Sequence, residues 1–269
     1  MVDLDRYKTQ IKFLGIKESG QERLTQSKIV IVGLGGLGSF FLQYLVRAGI
    51  GKITIIDFDT IELSNLQRQI LYDEWDVEEG RLKVEVALEK MSRVNRQVEL
   101  SGFATYLSPQ NAEKLLLNHD LILDATDNYP TRYLINDVAL KHSIPWIFSA
   151  VAGAFGMASV IIPGKTPCLK EIVLEGVSSE ALSCSTAGII SPIIASVAAF
   201  STTQALKYLA LGEEHIDKGL ALIDLWHPTL EITDIKRDET NLCPTCHLGK
   251  YEYLEGTKFP IIKTHGSTC

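Results

Sequence analysis

The sequence predicts an α/β fold of the Rossmann-like type, with a twisted, mainly parallel sheet and helices on both faces. Apolar strand-like runs alternate along the chain with segments of helical spacing, a pattern typical of a parallel sheet covered by helices. The first of these runs is followed by a glycine-rich turn and then by a helix, as in many nucleotide-binding sheets. We therefore expect a single domain with a C-terminal extension.

In the first half of the chain, strands and helices can be assigned in order. Predicted strands cover residues 28–32, 53–56, 98–100 and 120–125. The glycine turn at 33–38 opens the first helix of this half, and amphipathic spacing near 82–94 predicts another. A further helix should begin near Pro130, because proline suits a first helical position.

The second half continues the pattern with longer interruptions. Residues 146–149, 158–162, 220–224 and 230–232 are predicted strands, and residues 164–187 have the character of a long loop. A long buried helix should begin at Ser191-Pro192 and end at Gly212.

The composition is that of a globular protein, and it disfavours several classes of function. The chain has 269 residues, of which 46% are hydrophobic and 22% are charged. Its net charge of -7 disfavours a nucleic-acid partner, because such proteins neutralise phosphates with basic surface. The N-terminus lacks a signal-peptide core, and the most apolar stretch, 189–211, is interrupted by polar residues. We expect a cytoplasmic protein with no membrane contact and reduced cysteines.

The turn Gly33-Leu34-Gly35-Gly36-Leu37-Gly38 matches the pattern G-x-G-x-x-G. Small residues let the backbone turn tightly and approach a phosphate at a helix N-terminus. Asp57 follows Gly33 by 24 residues, near the usual offset of about 20 for a carboxylate that binds a ribose. Together these features favour a nucleotide site over a turn needed only for helix–sheet packing. They do not distinguish NAD, FAD and ATP.

Charged residues downstream of Asp57 favour phosphate chemistry over hydride transfer. Arg68, Lys83 and Asp127 each lie near the end of an element beside the predicted nucleotide site. Two cations there would hold a triphosphate and stabilise charge on a reacting phosphorus, and the carboxylate would hold Mg²⁺. Taken singly, Arg68 and Lys83 also fit solvated surface charges, and Asp127 also fits a helix cap.

In these motifs the sequence resembles the MoeB/ThiF/HesA family, relatives of the ubiquitin-activating enzymes. The resemblance covers roughly residues 6–246. It rests on motifs in the family's order and spacing: Gly33–Gly38, Asp57-Phe58-Asp59, Ser64-Asn65-Leu66-Gln67-Arg68-Gln69, Lys83 and Thr126-Asp127-Asn128. It implies an adenylation domain over residues 1–247, comprising an N-terminal helical region (1–27), a nucleotide-binding half (28–150) and a substrate and zinc half (151–247). A tail (248–269) follows.

The resemblance implies an adenylyltransferase that uses ATP and Mg²⁺ to activate a carboxylate, with release of pyrophosphate. In the family, the carboxylate is usually the C-terminal Gly-Gly of a ubiquitin-like sulfur-carrier protein in thiamin or molybdopterin synthesis. By resemblance, Asp57 binds the ribose and Asp127 positions Mg²⁺. The implied phosphate ligands are Asn65, Arg68 and Lys83. The implied ATP site also includes Gly33, Gly35, Gly36, Gly38, Asp59 and Asn128. A homodimer is also implied.

The sequence departs from the family near its N-terminus. The family commonly begins Arg-Tyr-x-Arg-Gln, and its second arginine reaches into the ATP site of the other subunit. Here the run is Arg6-Tyr7-Lys8-Thr9-Gln10, so Thr9 stands where that arginine is expected. Lys8 is adjacent, but lysine lacks the planar fork of arginine. Either another cation contacts the terminal phosphates, or this protein binds the triphosphate differently from the family.

A second departure concerns zinc, which many family members hold with two Cys-x-x-Cys pairs. The pair Cys243-Pro244-Thr245-Cys246 is intact, whereas Cys168 is followed three residues later by Glu171 instead of cysteine. Zinc accepts carboxylate oxygen as well as thiolate sulfur, so Glu171 and His247 are both candidates for the fourth ligand. An empty, degenerate site is the alternative.

Cys184 lies before the predicted buried helix and matches a cysteine that takes part in sulfur transfer in the thiamin branch of the family. A thiol near a helix N-terminus can be activated by a lowered pKa. A small buried residue without chemistry is the equal alternative.

Three other functions compete with carrier adenylation. The same chemistry on a small-molecule carboxylate, such as the pyridinol carboxylate of the iron-hydrogenase cofactor, is favoured by the departures at Thr9 and Glu171. A nucleotide-binding scaffold without turnover is a candidate of another class. A nicotinamide-dependent dehydrogenase is the weakest of these alternatives.

Overall fold

The computed structural model describes residues 3–173, 188–236 and 242–260, which contain one eight-stranded sheet. Its strands are Lys28–Val32 (β1), Lys52–Asp57 (β2), Glu99–Ala104 (β3), Leu121–Asp124 (β4), Trp146–Ala152 (β5), Phe155–Ile161 (β6), Leu220–Asp224 (β7) and Thr229–Thr233 (β8). Their order is β3-β2-β1-β4-β5-β6-β7-β8. The pairs from β3 to β5 are parallel, and the pairs from β5 to β8 are antiparallel. The predicted mainly parallel α/β class is confirmed.

The helices connect and cover these strands. The α-helices are Lys8–Lys12 (α1), Lys17–Gln26 (α2), Gly36–Ala48 (α3), Glu74–Glu78 (α4), Lys83–Val94 (α5), Ala112–Leu116 (α6), Tyr129–Lys141 (α7), Leu169–Ile172 (α8) and Ser191–Leu211 (α9). Short 3-10 turns lie at Leu4–Tyr7, Leu63–Asn65 and Glu213–His215. Within the described residues, no helix has both the length and the apolar character needed to cross a membrane.

The sheet separates two apolar layers, as burial of the central strands requires. One layer contains α3, α5 and α9, with Phe41 and Val197 among its buried side chains. The other contains α6 and α7, with Trp146 and Phe148 packed against them. Four of the five β1 residues are buried, so the continuous apolar run that predicted this strand reflects a strand covered on both faces.

Strand directions determine which loops share an edge. β1, β2, β4 and β5 are parallel, and β7 has the same direction because two antiparallel pairings separate it from β5. The loops after these strands therefore lie along one edge of the sheet, which we call the carboxyl edge. It carries the glycine turn, Asp57, the turn at 126–128 and the loop after Asp224.

The predicted loop at 164–187 is only partly a loop. Cys168 precedes the one-turn helix α8, whose backbone is closed by bonds such as Val173 N–H to the Leu169 carbonyl (2.8 Å). A single turn is too short to produce helical periodicity, so the sequence pattern missed it. Residues 174–187, including Cys184, lie outside the described residues.

Candidate active site and metal centre

The glycine turn needs glycine for steric reasons at two positions. Gly33 has a φ of +93°, and a Cβ there would lie 2.6 Å from the Ala125 carbonyl oxygen. A Cβ on Gly38 would lie 2.0 Å from the Gly33 carbonyl oxygen. Gly35 precedes α3 and supplies no side-chain cap to the helix. The N-terminus of α3 therefore presents backbone N–H groups at the carboxyl edge, where a phosphate would be stabilised.

Asp57 lies beside this turn and fixes it. Its Oδ2 accepts a 2.6 Å hydrogen bond from the Leu34 backbone N–H, and its Oδ1 accepts one of 2.8 Å from the Asp59 N–H. Burial raises the pKa of the Asp57 carboxyl, and the charge of Lys83 opposes that rise. The carboxylate therefore already supports the turn that would receive the phosphates.

Tyr72 holds the same turn from the other side, and the sequence patterns do not predict this contact. Its hydroxyl donates a 3.0 Å hydrogen bond to the Leu34 carbonyl, so Leu34 is bonded through both of its backbone groups. Burial, and then the charge of Asp57, raise the pKa of Tyr72 well above its usual value, which keeps the hydroxyl protonated. No local pattern marks a tyrosine 38 residues away as a support for this turn.

Lys83 is the first residue of α5 and is buried, with 3% of its side chain exposed. Its Nζ lies 2.8 Å from Asp59 Oδ2, and its backbone N–H donates to the Asp59 carbonyl. Two contacts between the same residues fix the lysine at the carboxyl edge. A buried cation of this kind is stabilised only while it has an anionic partner.

The segment 64–69 is folded tightly on itself. Asn65 is buried and its Oδ1 accepts from the Glu62 backbone N–H, whereas Arg68 Nη1 donates to the Ser64 carbonyl at 2.7 Å. No hydrogen bond or ion pair joins Arg68 to Lys83 or Asp127 in the described part of the chain. Gln69 is fully buried, and neither of its amide atoms has a hydrogen-bond partner within the described residues.

The turn after β4 carries Asp127 and Asn128. Asn128 caps α7 by accepting from the Thr131 backbone N–H (3.0 Å), and its amide nitrogen lies 3.4 Å from Asp127 Oδ1. Asp127 therefore precedes the helix cap and does not form it. Its carboxylate lies close enough to Asp59 for that charge to contribute to a raised pKa, whose largest cause is loss of solvent.

Arg132 supports this turn and was also missed. It is 6% exposed, donates to the Thr126 carbonyl at 2.6 Å, and places Nε 3.4 Å from Asp124 Oδ2. Its guanidinium carbon lies 5.2 Å from the Tyr129 ring centre and 5.4 Å from that of Phe148. Its place in the helix predicted from Pro130 gives no sign that its side chain returns to this turn.

The cysteines predicted to bind metal lie together on the α7 side of the sheet. The Sγ atoms of Cys168, Cys243 and Cys246 are all within 4.8 Å of one another. Glu171, Cys246 and His247 form a second, overlapping group of the same compactness. Hydrogen bonding with neighbouring thiols lowers the pKa of Cys243, and the bond with Cys243 raises that of Cys168 to about 12.

Both candidates for the fourth ligand are close, but they differ in their bonds. Glu171 Oε2 lies 3.1 Å from Cys246 Sγ and accepts from the Cys168 N–H. Oε1 is buried, has no hydrogen-bond partner among the described residues, and lies 3.8 Å from His247 Nδ1. His247 Nδ1 accepts from the Cys243 N–H at 3.2 Å and lies 3.4 Å from Cys246 Sγ.

The antiparallel end of the sheet is open. All five residues of β8 are exposed, and an apolar edge patch is formed by Trp226, Leu230 and Ile232, which are 72%, 59% and 46% exposed. The Leu225 N–H donates to the Ala154 carbonyl, which ties the loop beside this patch to the β5–β6 turn.

Comparison with known proteins places these features in a family. The family model described as "ThiF family" matches residues 7–245. The sulfur carrier protein ThiS adenylyltransferase of Bacillus subtilis is 38% identical over 252 residues, covering 93% of this chain and 73% of that protein. The molybdopterin-synthase adenylyltransferase of Escherichia coli is 36% identical over 206 residues, covering 76% of this chain and 82% of that protein.

A crystal structure of E. coli MccB with ATP has a TM-score of 0.77 and 23% identity, and the match covers 91% of this chain and 75% of that chain. This likeness concerns the fold alone. The family model, in contrast, spans nearly the whole sequence, including the glycine turn, Asp57 and the cysteine cluster up to Thr245. The chain belongs to the ThiF family.

Proposed function

We propose that the protein is an ATP-dependent adenylyltransferase for the C-terminal Gly-Gly carboxylate of a ubiquitin-like sulfur-carrier protein. The observation that carries this proposal is the carboxyl edge itself. There the glycine turn is bonded to Asp57, the buried Lys83 is paired with Asp59, and Asp127 lies just before α7. The similarity to relatives named sulfur carrier adenylyltransferases supports the choice of substrate class.

The nucleotide would lie across the glycine turn. The N–H groups at the start of α3 would receive phosphate oxygens, and the Asp57 carboxylate would accept hydrogen bonds from the ribose hydroxyls. Because Asp57 already accepts from Leu34 and Asp59, it would join the ribose to the phosphate-binding turn in one rigid unit. Asn65 would add an amide donor beside the phosphates.

The carrier carboxylate would attack the α-phosphorus of ATP, and pyrophosphate would leave. Lys83 and Arg68 would stabilise the negative charge that develops on the phosphate oxygens. Lys83 is already in place through Asp59, whereas Arg68 would have to turn away from the Ser64 carbonyl. No protein nucleophile is needed in this step, since positioning and charge supply the catalysis.

Asp127 is the residue we propose to hold Mg²⁺, with Asp59 nearby. Burial, with a smaller contribution from the charge of Asp59, raises the pKa of Asp127, and a divalent cation would favour the ionised form of this carboxyl. When bound, Mg²⁺ would neutralise charge on the triphosphate. Arg132 would keep the turn that carries Asp127 in position through the Thr126 carbonyl.

The carrier itself would dock on the open antiparallel end. The edge patch offers exposed apolar surface beside the loop after β7, and that loop lies on the carboxyl edge. The Gly-Gly tail would then extend past the β5–β6 turn, where Gly153 has no Cβ and a φ of +59°. We therefore assign residues 28–150 to nucleotide binding and 151–247 to substrate and zinc binding. By family resemblance we also propose a cytoplasmic homodimer.

We further propose that zinc is bound by Cys168, Cys243, Cys246 and Glu171. The Cys168 and Cys243 sulfurs are 3.7 Å apart, close to the spacing of about 3.8 Å that tetrahedral Zn–S bonds of about 2.3 Å require. The buried Glu171 oxygen without a hydrogen-bond partner supports glutamate as the fourth ligand over His247. Glu171→Gln should weaken zinc binding about tenfold or more, as measured by competition with a chelator dye. His247→Gln is the matched variant, and the reverse order would assign the site to histidine.

Pyrophosphate release tests the main proposal. Purified protein, Mg-ATP and Gly-Gly carrier proteins should release pyrophosphate in a carrier-dependent way, and mass spectrometry should detect the acyl-adenylate. A carrier that lacks its last two glycines is the control. Release that depends on a small carboxylate instead would favour the small-molecule alternative. ATP binding with no turnover on any acid would favour the scaffold.

A further inference from the structure

The C-terminal tail connects the cysteine cluster to the wall of the candidate nucleotide site. Two hydrogen bonds hold the start of the tail next to the cluster. Thr245 Oγ1 donates to the Lys250 carbonyl at 3.1 Å, and the Lys250 N–H donates to the Pro244 carbonyl at 3.0 Å. The tail then crosses α7. The Tyr253 and Leu254 N–H groups both donate to Asp137 Oδ2, at 2.8 and 3.2 Å.

Aromatic packing reinforces this crossing. The Tyr253 ring lies 4.9 Å from that of Tyr133 on α7, and Tyr253 is only 8% exposed. Lys170 adds a cation 5.3 Å from the Tyr253 ring centre and lies 3.6 Å from Glu252 Oε2. The path of the tail over α7 is therefore fixed by the fold.

The tail reaches the carboxyl edge at Phe259. Its ring centre lies 6.3 Å from that of Tyr106, and Tyr106 in turn packs edge-on against Phe58 at 5.2 Å. Phe58 stands between Asp57 and Asp59, the residues proposed to bind the ribose and to hold Lys83. Phe259 also packs against the apolar layer that contains α7.

Tyr106 joins the two sides of the candidate site. Besides its contact with Phe58, its hydroxyl is 2.8 Å from Thr131 Oγ1 in the first turn of α7, the helix that Asp127 precedes. Phe58 is still 42% exposed, so its ring is not sealed inside the core and is open to a ligand beside Asp57. Anything that holds Tyr106 in place therefore also sets the position of Phe58.

We propose that residues 249–260 form a strap, and that Phe259 at its end is a positioning residue for nucleotide binding, acting through Tyr106 on Phe58. The inference rests on the proposed function, because it takes the ligand beside Asp57 to be ATP. Phe259 contacts no reacting atom, so its loss should weaken nucleotide binding and leave the chemical step intact. Aromatic pairs contribute enough for an effect of about three- to tenfold on the ATP dissociation constant.

The test compares three full-length variants by calorimetric titration with a non-hydrolysable ATP analogue and Mg²⁺. Phe259→Ala should raise the dissociation constant about three- to tenfold, whereas Phe259→Tyr, which keeps the ring, should restore it to within twofold. Phe103→Ala is the matched control, because Phe103 is equally aromatic and 44% exposed on the neighbouring edge strand β3. It should bind like wild type.

Steady-state kinetics separates positioning from general loosening. For Phe259→Ala, the KM for ATP should rise, while kcat at saturating ATP and the KM for the carrier stay within twofold of wild type. Equal ATP affinity in Phe259→Ala and Phe103→Ala would overturn the proposed role of Phe259. A fall in kcat of Phe259→Ala with an unchanged KM for ATP would also overturn it. If the wild-type protein itself fails to bind ATP, the proposed function is overturned, and this outcome differs from a failure of the role proposed for Phe259.

Discussion

The parallel and antiparallel parts of the sheet each have a strand that ends in an aspartate, and the surroundings of these two aspartates are opposite in character. Asp124 ends β4 in the parallel part, is fully buried, and has a carboxyl pKa raised to about 6, chiefly by burial. Asp224 ends β7 in the antiparallel part, keeps part of its side chain exposed, and accepts N–H bonds from Trp226 and His227. These bonds, with that from His227 the larger cause, lower its pKa. The aspartate in the parallel part is therefore shielded from solvent, whereas the one in the antiparallel part is partly exposed to it.

This contrast indicates a division of work along the carboxyl edge. At the parallel end, groups such as Asp57 and Lys83 are already in their bonded positions, which suits a site that must bind a small, highly charged nucleotide without reorganisation. At the antiparallel end, the edge patch offers exposed apolar surface, which suits a protein partner. Substitutions at the two ends should accordingly affect different kinetic constants.

The largest effect is expected from Arg68→Ala. Loss of a charge that stabilises the transition state should lower kcat about 10²–10³-fold. Folding should be unaffected, because the bond to the Ser64 carbonyl lies within a surface loop. Pyrophosphate release at saturating ATP and carrier measures the change. Arg93→Ala, which removes an exposed arginine paired with Glu89, is the control. Wild-type turnover in Arg68→Ala would exclude the proposed role.

Asp57→Ala should act on nucleotide binding. It removes both the ribose acceptor and the bond that fixes Leu34, and hydrogen bonds to a charged group contribute about 1.5–3 kcal/mol. The ATP dissociation constant should therefore rise about 10- to 100-fold, with no change in the KM for the carrier at saturating ATP. Asp57→Asn keeps one acceptor and should fall between wild type and alanine. An unchanged affinity for ATP in the alanine variant would contradict the site.

At the other end, Ile232→Ser should raise the KM for the carrier about tenfold and leave ATP binding unchanged. The side chain is exposed in the free protein and would be buried only against a partner, where a large aliphatic group contributes about 1.5 kcal/mol or more. Glu231→Gln, on the opposite face of β8, is the control. A change in ATP affinity in the serine variant would remove the proposed division between the two ends.

The smallest effect is a difference in pH dependence between Asp124→Asn and Asp224→Asn. The pKa of Asp124 is raised from 3.8 to about 6, so between about pH 6 and pH 3.8 the folded chain holds a proton that the unfolded chain lacks. Relative to Asp124→Asn, wild type should therefore gain unfolding free energy as pH falls from 7 to 4.5. The pKa of Asp224 is lowered, so its contribution is present above 3.8 and is lost as pH falls further.

Urea unfolding at several pH values measures both differences. The difference in unfolding free energy between wild type and Asp124→Asn should increase as pH falls, and this change should occur above pH 4. The difference between wild type and Asp224→Asn should decrease as pH falls, and this change should occur below pH 4. Parallel slopes would mean that the two ends of the sheet do not differ in solvation.

Much of the carboxyl edge could be predicted from the sequence, because its signals are local. A glycine turn between a strand and a helix, and an aspartate at the end of the next strand, are fixed by the backbone geometry of one βαβ unit. The cysteine cluster was predicted by resemblance, and the structure brings Cys168 within 3.7 Å of Cys243 across 75 residues. The roles assigned to these residues remain predictions.

Supports from elsewhere in the chain could not be predicted. Tyr72 reaches Leu34 from outside that βαβ unit, and Arg132 turns back into the core toward Asp124, although arginine usually lies at the surface. The one-turn helix α8 was missed because four residues are too few to express a helical period. For Tyr72 and Arg132, the decisive contact joins residues that no spacing rule connects.

The sequence by itself determined the sheet, its layers and the predicted nucleotide site at the carboxyl edge, because burial periodicity and turn chemistry act between near neighbours. Only the tertiary structure decided that the weakly periodic tail crosses α7 and reaches Tyr106 through Phe259. Such a path is selected by the sum of contacts with three distant segments, and no one of these contacts leaves a repeating pattern in the sequence.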